Sequence, residues 1–186
     1  QMKENATELI AQLRSNAVEA FDRLIEQYGD RLYWHIRRVV VQHEEAEDVM
    51  QETFVRAYTS IADFRGETEG SLIAWLYRIA TNLAINALRK CKKWAFSSLD
   101  SVRGSLLATF EHEIEPSADE IVVRLQKAIL ALPTKQRLVF NMRYYDELSF
   151  EQISQATGQS VSTLKTNYHY AVKRIKEHVS VIEIED

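Results

Sequence analysis

No proline occurs before Pro116, and the 186 residues hold only one more, Pro133. The five glycines stand apart, at positions 29, 66, 70, 104 and 158. Glycine and proline are the strongest local breakers of regular structure. A chain nearly without them over its first hundred residues is therefore committed to long uninterrupted elements. Apolar spacing says which kind. In "AEDVMQETFVRAYTSI", Ala46, Val49, Met50, Thr53, Phe54, Ala57, Tyr58 and Ile61 recur at three and four residues, a wide stripe along one helix face. The expected fold class is all-α.

Composition narrows the function classes. Apolar residues make up 46% and charged residues 27%, ordinary for a globular protein. There is no apolar run of bilayer length and no charged-then-apolar leader, so the expected location is the cytoplasm. Cys91 is the single cysteine, which excludes an internal disulfide. No G-x-G-x-x-G or G-x-x-x-x-G-K is present to cradle a phosphate. The acidic helix lacks the Glu-x-x-His pairs of a di-metal bundle, and Cys91 and the five histidines have no metal-ligand spacing. No cofactor, metal or catalytic residue is expected, and the chain is expected not to be an enzyme.

Two small helical domains emerge, at residues 1–95 and 117–182, joined by a flexible acidic linker at 96–116. The linker segment "SSLDSVRGSLLATFEHEIEP" has no sustained period and is too long for an ordinary connection inside one domain. The formal charge of −4 is concentrated there: residues 97–120 carry −5, residues 1–96 carry −1 and residues 121–186 carry +2. Basic faces are thus free to exist elsewhere. In the first domain "FRGETEGS" ends one helix, and Ser71 is placed to cap the next, with Leu72, Leu76, Ile79, Leu83 and Ala87 facing in. In the second, Ser117 and Glu120 form a capping box ahead of inward-facing Ile121, Leu125, Ala128, Ile129 and Leu132. Pro133 stops that helix and starts another, carrying Leu138, Val139, Met142 and Tyr145. Ser149 and Gln152 form a second capping box.

The stretch after Ser149 has the turn chemistry of a helix-turn-helix. Gly158 falls where a tight turn between helices needs positive φ, and Ser160 can cap the following helix. That helix buries Val161, Leu164, Tyr168, Ala171 and Ile175 and turns Ser162, Thr163, Lys165, Thr166, Asn167, His169, Tyr170, Lys173 and Arg174 outward. Such a face suits a major groove, with short polar groups for base edges and cations for phosphates. It equally suits a solvated helical hairpin. A second polar row, Arg78, Asn82, Asn86, Arg89 and Lys93, thickened by Lys90 and Lys92, shares one face of an earlier helix. It could follow a phosphate backbone or single strands, or be a solvated surface with cations near a helix C-terminus. The acidic residues Glu44, Glu45, Glu47, Asp48, Gln51 and Glu52 lie off the apolar stripe, as a solvated face or a surface for a basic partner. Trp75 borders the core stripe, so packing is its expected role.

Five segments in this order resemble the extracytoplasmic-function group of bacterial sigma factors. They are "AEDVMQETFVRAY", "FRG", "WLYRIATNLAINALRK", "LPTKQRLVFNMRYYDELSFEQIS" and "TGQSVSTLKTNYHYAVKRIK". The resemblance implies a sigma-2-like first domain and a sigma-4-like second one, in the short two-domain form. It implies that Asp48, Gln51 and Glu52 bind the β′ clamp helices of core RNA polymerase, with the β flap as a further contact. The loop residues Phe64, Arg65 and Gly66, with Arg78, Asn82, Asn86, Arg89, Lys90 and Lys93, would read and melt the −10 promoter element. Ser160, Ser162, Thr163, Lys165, Thr166, Asn167, His169, Tyr170, Lys173 and Arg174 would read the −35 element. An anti-sigma factor, often membrane-anchored, is the implied inhibitory partner. Two positions depart from the family pattern: Asn86 stands where many members carry Asp, and Tyr170 where many carry Arg. The competing reading is a stand-alone helix-turn-helix regulator, which would bind an operator without polymerase.

Overall fold

The computed structural model describes residues 6–15, 18–93, 106–110 and 119–182, apart from the side chains of 91–93 and 180–182. Every regular element among them is helical. In chain order these are α1 (Ala6–Arg14), α2 (Val18–Val40), α3 (His43–Ser60), a 3-10 turn (Ile61–Asp63), α4 (Glu69–Lys93), α5 (Glu120–Leu130), α6 (Thr134–Tyr144), α7 (Phe150–Thr157) and α8 (Val161–Ile182). Residues 106–110, inside the expected linker, are also helical. Leu106 is buried in the core, with Leu107 and Phe110 packed against it.

Helices α2, α3 and α4 pack on one another, and α1 packs against α2, α4 and the 3-10 turn. On α2 the buried positions Phe21, Leu24, Tyr28, Leu32, Ile36 and Val39 recur at three and four residues, the pattern that forces such a segment to fold as a core-facing helix. Each fully buried leucine contributes about 1.5–3 kcal/mol through removal of apolar area from water. Helix α2 ends at Val41, whose φ of 68° is left-handed although the residue is β-branched. Such a backbone costs on the order of 1–3 kcal/mol. It closes the helix through Val41 N–H to the Arg37 carbonyl at 2.8 Å and buries the valine side chain.

The caps decide where α4 and α5 begin, and both correct the sequence reading. Thr68, not Ser71, is the residue before α4. Its Oγ1 accepts from Ser71 N at 3.1 Å, and Ser71 Oγ accepts from Thr68 N at 3.1 Å. Ser71 is thus the third-position member of a reciprocal cap. At α5 the cap is Asp119, whose carboxylate accepts from Ile121 N at 2.8 Å. Ser117 lies outside the described residues. Starting at Glu120 turns Ile121 outward to 73% exposure, while Ala128, Ile129 and Leu132 are buried as expected.

The second group, α5 to α8, does not stand apart from the first. Its largest neighbour contact is α7 on α4. Leu138, Met142, Leu148, Ile153 and Ala156 join Leu24, Leu32, Ile36, Ala80 and Ala84 in one continuous core. A second, smaller cluster of Ala128, Ile129, Leu132, Phe140, Ala171 and Ile175 holds α5, α6 and α8 together. Helix α4 is consequently buried on two faces, which leaves one face for solvent.

Candidate nucleic-acid and polymerase interface

Three exposed surfaces collect the residues singled out in the sequence. The first is the outer face of α3. Burial of Ala46, Val49, Thr53 and Ala57 rotates Glu44, Glu47, Asp48, Gln51 and Glu52 into solvent. Glu52 accepts from Arg56 Nε at 2.8 Å, one turn on. Asp48 and Gln51 have no hydrogen-bond or ion-pair partner among the described residues. Two acceptor-rich side chains are therefore presented without an internal claim on them.

The second surface is the loop 64–68 together with the open face of α4. Arg65, Arg78, Asn82, Asn86, Arg89 and Lys90 are exposed there. Lys93 lies on α4, with its side chain outside the described residues. Phe64 is 6% exposed and its ring lies 4.9 Å from that of Trp75, so in the free chain it anchors the loop from beneath. Trp75 is its packing partner, as the core stripe suggested. Arg14 of α1 completes the clamp. Its guanidinium sits 5.8 Å above the Phe64 ring and donates to the Gly66 carbonyl at 2.8 Å. Sequence inspection could not have found Arg14, which is 52 residues from its acceptor. Gly66 is required by proximity: a Cβ there would lie 2.3 Å from Ser71 Oγ and 2.4 Å from Phe64 Cζ.

A cleft of about 720 Å³ joins these two surfaces. Glu45, Asp48, Glu52 and Arg56 of α3 form one wall, and Asn86, Arg89 and Lys90 of α4 form the other, over a floor of Val49, Leu83 and Ala87. One wall is mainly acidic and the facing one basic.

The third surface is the helix-turn-helix of α7 and α8. The capping box is complete: Ser149 Oγ accepts from Gln152 N at 3.1 Å and Gln152 Oε1 accepts from Ser149 N at 2.9 Å. Gly158 has a φ of 73°. Ser160 Oγ accepts from Thr163 N at 3.2 Å. Leu164, Ala171 and Ile175 face in. Ser160, Ser162, Thr163, Lys165, Thr166, His169, Tyr170, Lys173 and Arg174 are exposed, and Asn167 is half-buried at the edge of the row. The orientation of α8 is held by Tyr168, which stacks on Phe140 at 6.0 Å and meets Phe150 edge-on at 5.9 Å.

A fourth cluster was not visible in the sequence. Asp146, in the turn between α6 and α7, is 4% exposed. Its carboxylate accepts from His35 Nδ1 at 2.8 Å and Arg38 Nη1 at 3.0 Å. Its main-chain oxygen accepts from Arg31 Nη2 at 3.0 Å. His35 Nε2 lies 2.8 Å from Thr81 Oγ1, so both ring nitrogens are engaged. Arg38 also covers the Tyr145 ring at 4.5 Å. Burial, followed by the Asp146 carboxylate, pushes the Tyr77 hydroxyl well above the usual tyrosine range.

Comparison with known proteins places these surfaces in a family. Residues 24–95 match the model of sigma-70 region 2, and residues 123–175 that of sigma-70 region 4. The chain is 32% identical over 178 residues to the ECF RNA polymerase sigma factor SigW of Bacillus subtilis, covering 91% of this chain and 94% of that protein. It is 28% identical to the RNA polymerase sigma factor YlaC of the same organism, covering 87% and 93%. Among solved structures, CnrH in complex with the cytosolic domain of CnrY shares the fold with a TM-score of 0.69 at 21% identity, over 97% of this chain and 98% of that one. The sigma factor RpoE in complex with the anti-sigma factor NepR from Bartonella quintana gives 0.66 at 20% identity, over 88% and 99%.

Proposed function

The chain belongs to the extracytoplasmic-function group of RNA polymerase sigma factors, and from that premise we propose how its surfaces divide the work of promoter recognition. Asp48, Gln51 and Glu52 on α3 dock on the β′ clamp helices of core polymerase, with the β flap as the second contact. Residues 1–95 form the docking and −10 domain, 96–116 the linker and 117–182 the −35 domain. The observation that carries the docking assignment is the exposure of Asp48 and Gln51 without a partner among the described residues, with Asp48 on a wall of the same cleft whose other wall is the basic face of α4.

On that basic face Arg78, Asn82, Asn86, Arg89, Lys90 and Lys93, with Arg65 and Gly66 of the loop, hold the −10 element as it opens. Extruding a base costs a few kcal/mol of unstacking, which contacts to the displaced strand offset. Phe64 contributes by fixing the loop. On α8, Ser162, Thr163, Thr166, Asn167 and His169 meet base edges of the −35 element. Ser160, Lys165, Tyr170, Lys173 and Arg174 position the helix against the backbone. Asn86, in place of the more common Asp, removes a charge that would repel phosphate. The net charge of −4 means that most nonspecific attraction to DNA comes from the polymerase. The chain acts as a specificity subunit with no chemical step of its own, in the cytoplasm where the polymerase works. An anti-sigma factor is the inhibitory partner, a reading supported by the two structural relatives solved with CnrY and NepR.

Gel filtration with bacterial core RNA polymerase tests the assignment. The wild-type chain should co-elute with core, and the Asp48→Lys, Gln51→Ala double variant should elute alone. Undiminished co-elution of the variant would remove these residues from the docking surface. Tight operator binding by the isolated chain would instead favour the stand-alone regulator.

A further inference from the structure

We infer that the cavity between α2, α5 and α6 is a binding site for an adenine nucleotide, whose base is read by the Asn141 side chain and stacks against Trp34 and Phe110, and whose phosphate faces Arg37 and Arg38. None of these residues belongs to the surfaces of α3, α4 or α8, so the site stands or falls apart from the polymerase and promoter assignments.

The cavity has a volume of about 240 Å³. Pockets that enclose drug-sized molecules run to about 300–1,000 Å³, so this one has room for a single flat ring system and not for a peptide segment. Its walls come from stretches distant in sequence: Trp34, Arg37, Arg38 and Val41 at the end of α2, Phe110, residues of α5, and Asn141 of α6. Asn141 is 1% exposed, and neither its Oδ1 nor its Nδ2 has a hydrogen-bond partner among the described residues. A buried amide in that state carries the full cost of its desolvation, and each such group in a folded chain calls for an explanation. Packing of α6 supplies none. Val139, Phe140 and Met142 beside it are buried and apolar, and an apolar side chain at 141 would continue them at lower cost. A carboxamide sets one acceptor beside two donors, and adenine matches that arrangement through N6 and N7.

The remaining walls fit the rest of the nucleotide. Trp34 is 55% exposed, and Phe110 brings a second ring to the same cavity. Aromatic faces are stacking platforms for bases. Among the described residues that line the cavity there are two arginines and no carboxylate. Arg38 gives one nitrogen to Asp146 at 3.0 Å and lies over the Tyr145 ring, which fixes its position; the guanidinium carries further donors suited to a phosphate. Val41, left-handed at a φ of 68°, closes α2 against this cavity, and backbone strain of that kind gathers at ligand clamps.

Isothermal titration of the full chain with AMP, adenosine and ribose 5-phosphate tests the site, beside thermal unfolding of two variants. AMP should bind at one equivalent. Adenosine and ribose 5-phosphate, each lacking one half of the ligand, should bind about tenfold more weakly or worse. Asn141→Leu should abolish AMP binding, while its Tm without ligand stays at or above that of wild type, because an apolar side chain of similar size needs no partner there. Trp34→Ala changes an exposed side chain, so it should keep the fold and weaken AMP about tenfold. Absence of saturable AMP binding would overturn the proposal and leave a cavity filled by water. Equal binding of ribose 5-phosphate would overturn it as well, by reducing the site to attraction between an anion and two arginines. So would an Asn141→Leu variant that melts lower yet binds AMP as tightly as wild type, since the amide would then serve the fold alone.

Discussion

Replacing Gly66 with alanine should destabilise the protein through one close approach. The added Cβ would lie 2.3 Å from Ser71 Oγ and 2.4 Å from Phe64 Cζ. Ordinary contact between carbon atoms is about 3.5–4.0 Å, so a neighbour must retreat by roughly 1 Å or more. Neither is free to do so. Ser71 Oγ is tied to Thr68 by hydrogen bonds at 2.7 and 3.1 Å, and the Phe64 ring is buried against Trp75. Overpacking of this kind costs about 1–3 kcal/mol. Loss of glycine freedom in the unfolded chain returns about 0.4–1 kcal/mol. The net is a destabilisation of about 1–2 kcal/mol, which lowers Tm by about 2–8 °C for a chain of this size. Thermal unfolding followed at 222 nm measures it. The variant should also open −10 DNA less well, because Arg65 is displaced with the loop. An unchanged or higher Tm would show that the loop relaxes freely and that the Phe64–Trp75 clamp does not fix it.

Other expectations follow from the same geometry. Thr166→Ala and Asn167→Ala should each reduce holoenzyme discrimination between the cognate and a scrambled −35 element by about 1–3 kcal/mol. Lys173→Ala should weaken both complexes alike and lower the salt slope by about one; a sequence-dependent effect of Lys173→Ala would reverse that division of roles. Alkaline pH should unfold the protein from about pH 10 upward. Burial raises the hydroxyls of Tyr28, Tyr77 and Tyr145 above the ordinary tyrosine value, with Glu69 adding at Tyr28 and Asp146 at Tyr77. These groups keep their protons in the folded state when the unfolded chain has released them, so their contribution is whole below pH 10 and is lost above it. Arg137, lowered to about 10 by burial, acts in the opposite sense but is one group against three. Urea midpoints between pH 8 and 12, read beside tyrosinate absorbance at 295 nm, decide the matter; early ionisation of all eight tyrosines without unfolding would contradict it.

What could be read from the sequence was local. The Ser149–Gln152 box, the left-handed Gly158 and the Ser160 cap each involve residues within four positions of one another, and all three stand as expected. The apolar stripe of α3 fixed which carboxylates face outward. Errors arose where two residues could play one part. Thr68 and Ser71 can both cap, and so can Ser117 and Asp119; a shift of two or three residues at α5 was enough to move Ile121 from core to solvent. The anchoring of Phe64 was not legible because an aromatic ring in a loop serves equally well as an anchor or a stacking platform, and its contact with Trp75 appears only in the fold. The Asp146 cluster was invisible because its partners come from α2 and α4, and nothing in a short window links them.

The cleft between α3 and α4 imposes an order of events. It sets Glu45, Asp48 and Glu52 of one wall against Asn86, Arg89 and Lys90 of the other. The carboxylates of Glu45, Asp48 and Glu52 therefore dim the field of Arg89 and Lys90 in the free chain. Basic helices laid over the acidic wall would cancel that negative charge and leave the opposite wall fully attractive to a phosphate strand. Docking would then act as the switch that turns on the DNA-binding face, so that a free sigma factor neither titrates DNA nor opens it.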